Sequence, residues 1–288
     1  MIRAIFCLLS LYFLQVSGTF IRCGGSSSHR RLTFSNPKKI PESCVYKFKP
    51  TSSKVCMIKL EFNKFSLAQP TIEPFPSCVV DKMTADGISL CGENPGEHIY
   101  LSYPDTKSRS ITVTFNTMNR EGVDLKAPEW NIKMTQIDCN DKDLPPTHCL
   151  QYFTARQGVI ESFNYQYGIG PYLGNTSYSI CIKKPEAKSI IQISSTFFEM
   201  SYAEDDFNGT DTDCLSPVPE PSQSEDFLQI PGSELSNGFR VERFCGRSLM
   251  ANAITSKTTG PFVMTFNSDT LYDEDKPESG FSLFYEVL

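Results

Sequence analysis

The chain has 288 residues, 33 Asp and Glu against 27 Lys and Arg, a formal net charge of −6 and eleven cysteines. This balance excludes a nucleic-acid binder, whose phosphate contacts demand a basic face. The small basic group His29, Arg30, Arg31, Lys38 and Lys39 is local and reads as a solvated loop.

The first element is the apolar run from Ala4 to Val16, led by Met1-Ile2-Arg3 and ended by the small residues Ser17 and Gly18. It is shorter than the roughly 20 apolar residues of a membrane span and is built like a secretory signal cut after Gly18. The chain is therefore expected to be secreted and extracellular. No other stretch is long and apolar enough to span a bilayer. Cys7 falls in the signal, which leaves Cys23, Cys44, Cys56, Cys78, Cys91, Cys139, Cys149, Cys181, Cys214 and Cys245. An even set in an exported chain reads as disulfides. Zinc would want close C-x-x-C pairs with nearby His, and no two cysteines are that close.

Further along, Ile58, Leu60 and Phe62 alternate with Lys59 and Glu61, the period-2 pattern of a half-buried strand. The same alternation places Ile111, Val113 and Phe115 on one face, then Trp130, Ile132 and Met134, and near the end Phe281, Leu283, Tyr285 and Val287. Turn residues separate these runs, and no persuasive amphipathic helix interrupts them. The fold class is all-β, two antiparallel β-sandwich domains stapled by disulfides. The polar, proline-bearing segment 140–148 reads as an exposed connector. It divides the chain into residues 1–18 (signal), 19–139 (first domain) and 149–288 (second domain).

Several motifs of the second half follow one another in a recognisable order: Cys149, Gly158-Val159-Ile160-Glu161-Ser162-Phe163-Asn164-Tyr165, Tyr178-Ser179-Ile180-Cys181, Asp226-Phe227-Leu228, Cys245-Gly246, Phe266-Asn267-Ser268-Asp269 and Gly280-Phe281-Ser282-Leu283-Phe284-Tyr285. In this order they resemble a CUB domain, a jelly-roll type β-sandwich. The first half resembles the same family more distantly, through Cys23-Gly24-Gly25, Phe34-Ser35-Asn36-Pro37, Cys44-Val45-Tyr46, Ile58 to Phe65, Cys78-Val79-Val80-Asp81 and Cys91-Gly92. Its ending departs, with Trp130-Asn131-Ile132-Lys133-Met134 where the family has a "G-F-x-x-x-Y" strand. The phrase Cys149-Leu150-Gln151-Tyr152-Phe153-Thr154 is similar to tandem CUB proteins of arthropods. The resemblance implies the pairs Cys149–Cys181 and Cys214–Cys245 in the second module, and Cys23–Cys44 and Cys78–Cys91 in the first, leaving Cys56 with Cys139. Cys44–Cys56 with Cys23–Cys139 is an equally even alternative for the first module.

Catalysis finds little support. His29, His98 and His148 are the only histidines. None lies near a G-x-S-x-G turn, H-E-x-x-H is absent, and the chain reads as non-enzymatic. His98 is expected on the surface or in a turn. Many members of the resembled family hold calcium through a Glu before the third cysteine, an Asp after it and the Asp of "F-x-S-D". The resemblance carries the two Asp positions onto Asp226 and Asp269 in the second module. The Glu position falls on Glu199, slightly out of register, or on Glu204 in the acidic loop beyond it. In the first module only Asp81 matches, with Ala68 and Met118 at the other two positions, too little for calcium. Asn175-Thr176-Ser177 and Asn208-Gly209-Thr210 are glycosylation sequons. The expected role is binding of an extracellular protein or glycan. An accessory component of a secreted hydrolase system and a structural matrix role are the alternatives.

Overall fold

The computed structural model describes residues 20–105, 109–201, 226–250, 252–272 and 278–288. The proposed signal, Glu204, Asn208 and Cys214 lie outside the described residues. Among the described residues the chain is almost entirely β, with one 3-10 turn at Gln166–Gly168. The first half contributes β1 (Phe20–Ile21), β2 (Ser26–Ser27), β3 (Arg31–Ser35), β4 (Ser43–Phe48), β5 (Val55–Ser66), β6 (Lys82–Ala85), β7 (Ile88–Leu90), β8 (His98–Ser102), β9 (Ile111–Asn116) and β10 (Glu129–Asp138). The second half contributes β11 (Cys149–Phe153), β12 (Gln157–Glu161), β13 (Thr176–Ile182), β14 (Ile191–Glu199), β15 (Phe227–Gln229), β16 (Ser233–Leu235), β17 (Arg243–Phe244), β18 (Ala253–Ser256), β19 (Phe262–Ser268) and β20 (Gly280–Val287).

Each half forms two sheets of five strands. The orders β1-β3-β10-β5-β8 and β2-β4-β9-β6-β7 recur in the second half as β12-β20-β14-β18 with β16 at the edge, and β11-β13-β19-β15-β17. The divergent strand carrying Trp130 thus occupies in its sheet the place that β20 occupies in the other. Trp130 is fully buried, stacks on Phe115 at 4.1 Å between ring centroids, and donates its indole N–H to the Tyr46 hydroxyl at 3.2 Å. A buried indole needs such a partner, so this end of the first core is specified by a polar contact as well as by volume.

The spacing of Phe62 and Phe65 has a local cause. Against β10, Ile132 pairs with Phe62 but Asn131 pairs with Lys64, so Asn63 is an extra residue in a β-bulge. The bulge resets the side-chain phase, and both rings face inward, stacked at 4.9 Å. A matching irregularity lies between Ser195 and Phe197 in β14, after which Phe198 is buried.

Disulfides join Cys23 to Cys44, Cys56 to Cys139, Cys78 to Cys91 and Cys149 to Cys181. Cys245 is also disulfide-bonded. The segment 140–148 is exposed at Asn140, Asp141, Lys142, Thr147 and His148 and packed at its centre. Pro145 is buried, Asp143 pairs with Lys183, and Leu144 packs on Met57, Tyr100, Cys149, Tyr152 and Cys181. Apolar surface from both halves is removed from water here, which ties the modules together.

Candidate functional site

Strand pairing builds the site at one end of the second sandwich. β15 runs beside β19 with Phe227 opposite Asn267, so Asp226, the residue before β15, meets the backbone just beyond β19. The Asp269 amide donates to Asp226 Oδ1 at 2.6 Å, and the Tyr172 hydroxyl donates to Oδ2 at 2.6 Å. Tyr172 in turn accepts from the Ser201 amide at 3.0 Å. Asp226 is 1% exposed. Burial, and after the two hydrogen bonds that oppose it the nearby Asp269 charge, push the Asp226 carboxyl up to about 7. A carboxyl in this setting gains from a cation that would hold it ionised.

The first module solves the same problem internally. β6 runs beside β9 with Lys82 opposite Asn116, and Asp81 meets the Met118 amide at 3.1 Å. This repeats the Asp226–Asp269 relation residue for residue. Here, however, Arg120 Nη1 donates to Asp81 Oδ1 at 2.8 Å, its Nη2 bonds Oδ2, and the Ala68 amide donates to Oδ2 at 2.9 Å. Burial alone would raise the Asp81 carboxyl, but the Arg120 fork and the two amides outweigh it and hold it below its ordinary value. The Arg120 guanidinium supplies the positive charge that balances the buried Asp81.

Of the sequence-derived candidates, the structure brings Asp226 and Asp269 together. Glu199 goes elsewhere. It pairs with Gly280 across β20 as Ser66 pairs with Glu129 in the first module, two residues short of the place Ala68 holds there. Its Oε1 accepts from Arg247 Nε at 2.8 Å. Calcium collects hard oxygens in flexible geometry; here the Asp226 carboxylate meets the Asp269 backbone amide, while Asp269 Oδ1 accepts from the Leu271 amide at 2.7 Å. The third carboxylate implied by the resemblance is not supplied by Glu199. Among the described residues, the one trio with metal-ligand atoms close together is His148, Cys149 and Cys181. Its two cysteines are joined in a disulfide, so it is no thiolate site. Arg120 and Tyr172 were not singled out by the sequence, since their contacts span 39 and 54 residues.

The junction between modules holds a second polar cluster. His98 is not the surface residue expected from sequence. It lies in β8, its Nε2 is 3.0 Å from Tyr152 O, and burial, then Lys59, lower it to about 4. Its neighbour Glu97 accepts from Gln151 Nε2 at 2.7 Å, and burial, then Glu161, raise it to about 8. Asn164 crosses the junction. Its amide donates to Asn94 Oδ1 at 2.8 Å, and its own Oδ1 accepts from the Glu93 amide at 2.9 Å.

Residues 146–288 match the model of the animal CUB domain. The second module is a CUB domain. Such a domain is a protein-interaction module. Among solved structures, the chain is similar to the CUB1-EGF-CUB2 domains of rat MASP-1, with 14% identity, a TM-score of 0.30, and coverage of 93% of this chain and 100% of that one. It is also similar to the full extracellular region of zebrafish Gpr126/Adgrg6, with 10% identity, a TM-score of 0.32, and coverage of 93% of this chain and 37% of that one. No curated protein matches by sequence. Among the described residues, no helix is long and apolar enough to cross a membrane.

Proposed function

We propose that the chain is a secreted, non-enzymatic interaction protein of two CUB-type modules, and that the Asp226–Asp269 end of the second is a calcium-dependent contact for extracellular protein or glycan partners. The first module's likeness to the same family, and the likeness of Cys149–Thr154 to tandem arthropod proteins, belong to this reading. The observation that carries it is the difference between the two sandwich ends. Asp81 has Arg120 as its fixed cation, whereas Asp226 is buried beside Asp269 with its proton affinity raised. An ion held there would fix the Asp226 and Asp269 carboxylates in place, and their negative charge would receive a basic partner side chain.

The experiment is affinity capture from extracellular fluid by the full chain, with calcium, with chelator, and with Asp269→Ala. A partner retained in calcium and lost in both other arms supports the reading. Identical partners in all three arms move the contact away from this end.

A further inference from the structure

We propose that Asn175 carries an N-linked glycan whose first sugars seat in the crevice between the two modules and brace the junction. The sequon lies in the turn entering β13, with Asn175 exposed at φ 50. This left-handed conformation is one that Asn tolerates. The turn is held from both sides. Asn175 N donates to Asp269 O at 2.5 Å within the CUB module, and Gly174 N donates to Pro76 O at 2.9 Å in the first module.

That second bond brings the Phe75 ring against the backbone next to the sequon. A Cβ placed on Gly174 would lie 2.8 Å from Phe75 Cδ2. The crevice alongside has a volume of about 330 Å³ and is lined by Phe75, Ser77, Lys82, Ile88 and Ser89 from one module and by Asn175 from the other. This is the low end of the roughly 300–1,000 Å³ range of small-molecule sites, room for the innermost sugars of a glycan. The lining suits an N-acetylhexosamine. Its C–H face can lie on Phe75 and Ile88, and its hydroxyl and acetamide edge can meet Ser77, Ser89 and Lys82. Because the sugar would be tethered, its effective concentration at the crevice is high, and contacts too weak to hold a free saccharide suffice.

The modification is transfer from an isoprenyl-diphosphate-linked oligosaccharide. The Asn175 side-chain nitrogen forms a bond to the sugar C1, the C1–O bond to the diphosphate breaks, and the amide gives up one proton.

The test uses the full chain secreted from eukaryotic cells, the glycan at Asn175 being established by peptide mass spectrometry. Asn175→Gly, which suits the backbone conformation, and Ser177→Ala, which removes the sequon but keeps Asn175, should each lower the melting temperature by several degrees. Both should also raise amide exchange severalfold in residues 75–89. Phe75→Ser should abolish the difference between glycosylated and sequon-less proteins. An unmodified Asn175, a glycan whose loss changes neither melting nor exchange, or a glycan effect that survives Phe75→Ser would each overturn the proposal.

Discussion

Arg120 lays its guanidinium across both carboxylate oxygens of Asp81, with Nη1 2.8 Å from Oδ1, and the pair sits beside the Met118 amide just as Asp226 sits beside that of Asp269. The Asp81 side chain is wholly buried and that of Arg120 is 17% exposed. Removing one partner of such a pair strands the other charge. Arg120→Ala is therefore expected to destabilise the chain by about 3–5 kcal/mol, read as a lowered denaturant midpoint. Arg120→Lys should recover only part of this, since an ammonium cannot span both oxygens.

The Asp226 carboxyl is raised from its ordinary 3.8 to about 7. Between those two values the folded chain holds a proton that the unfolded chain releases, so this group's contribution to stability falls as pH rises through the window and is flat above it. The difference in unfolding free energy between the wild type and Asp226→Asn, measured in chelator, should show this slope. Millimolar calcium should flatten it by favouring the ionised form.

At the junction, Glu97 titrates at about 8 and faces Glu161, Gln151 and Tyr178. Its contribution falls as pH rises from its ordinary 4.5 to about 8. Glu97→Gln should raise stability above neutral pH and change little near pH ~4. His98, lowered to about 4 beside Lys59, has the opposite sense: its contribution is lost as pH falls from 6.5 toward 4. His98→Gln should remove that acid-side loss. Melting curves across pH check both.

Gly92 is needed for close approach. It has φ 73, and a Cβ there would fall 2.0 Å from Asn164 Oδ1. Gly92→Ala should cost about 2 kcal/mol or more through backbone strain and displacement of Asn164. Exchange protection should be lost in the Glu93 and Asn164 amides before the rest of either sandwich.

The strands were readable because alternation such as Ile58, Leu60, Phe62 records a two-sided environment in the residues themselves. The bulge at Asn63 was visible only as the odd spacing to Phe65, and the Trp130 strand, a departure from the family ending, occupies the expected place in its sheet. Asp226 and Asp269 could be named because each sits in a short local phrase. Arg120 and Tyr172 could not, since their partners lie 39 and 54 residues away in the chain and nothing nearby marks them. The place of Glu199, opposite Gly280 and in reach of Arg247, was not legible because sequence distance from Cys214 says nothing about strand register. His98 misled because its polarity resembles that of a solvated surface, whereas its ring meets the Tyr152 carbonyl of the second module.

The most direct measurement is calorimetric titration of calcium into the full chain, beside Asp226→Asn and Asp269→Ala. The account predicts one site on the wild type with a dissociation constant of roughly 10⁻⁴ to 10⁻³ M, in the range of extracellular modules, and no binding heat from either variant. Absence of heat from the wild type, or equal heat from the wild type and both variants, would contradict it.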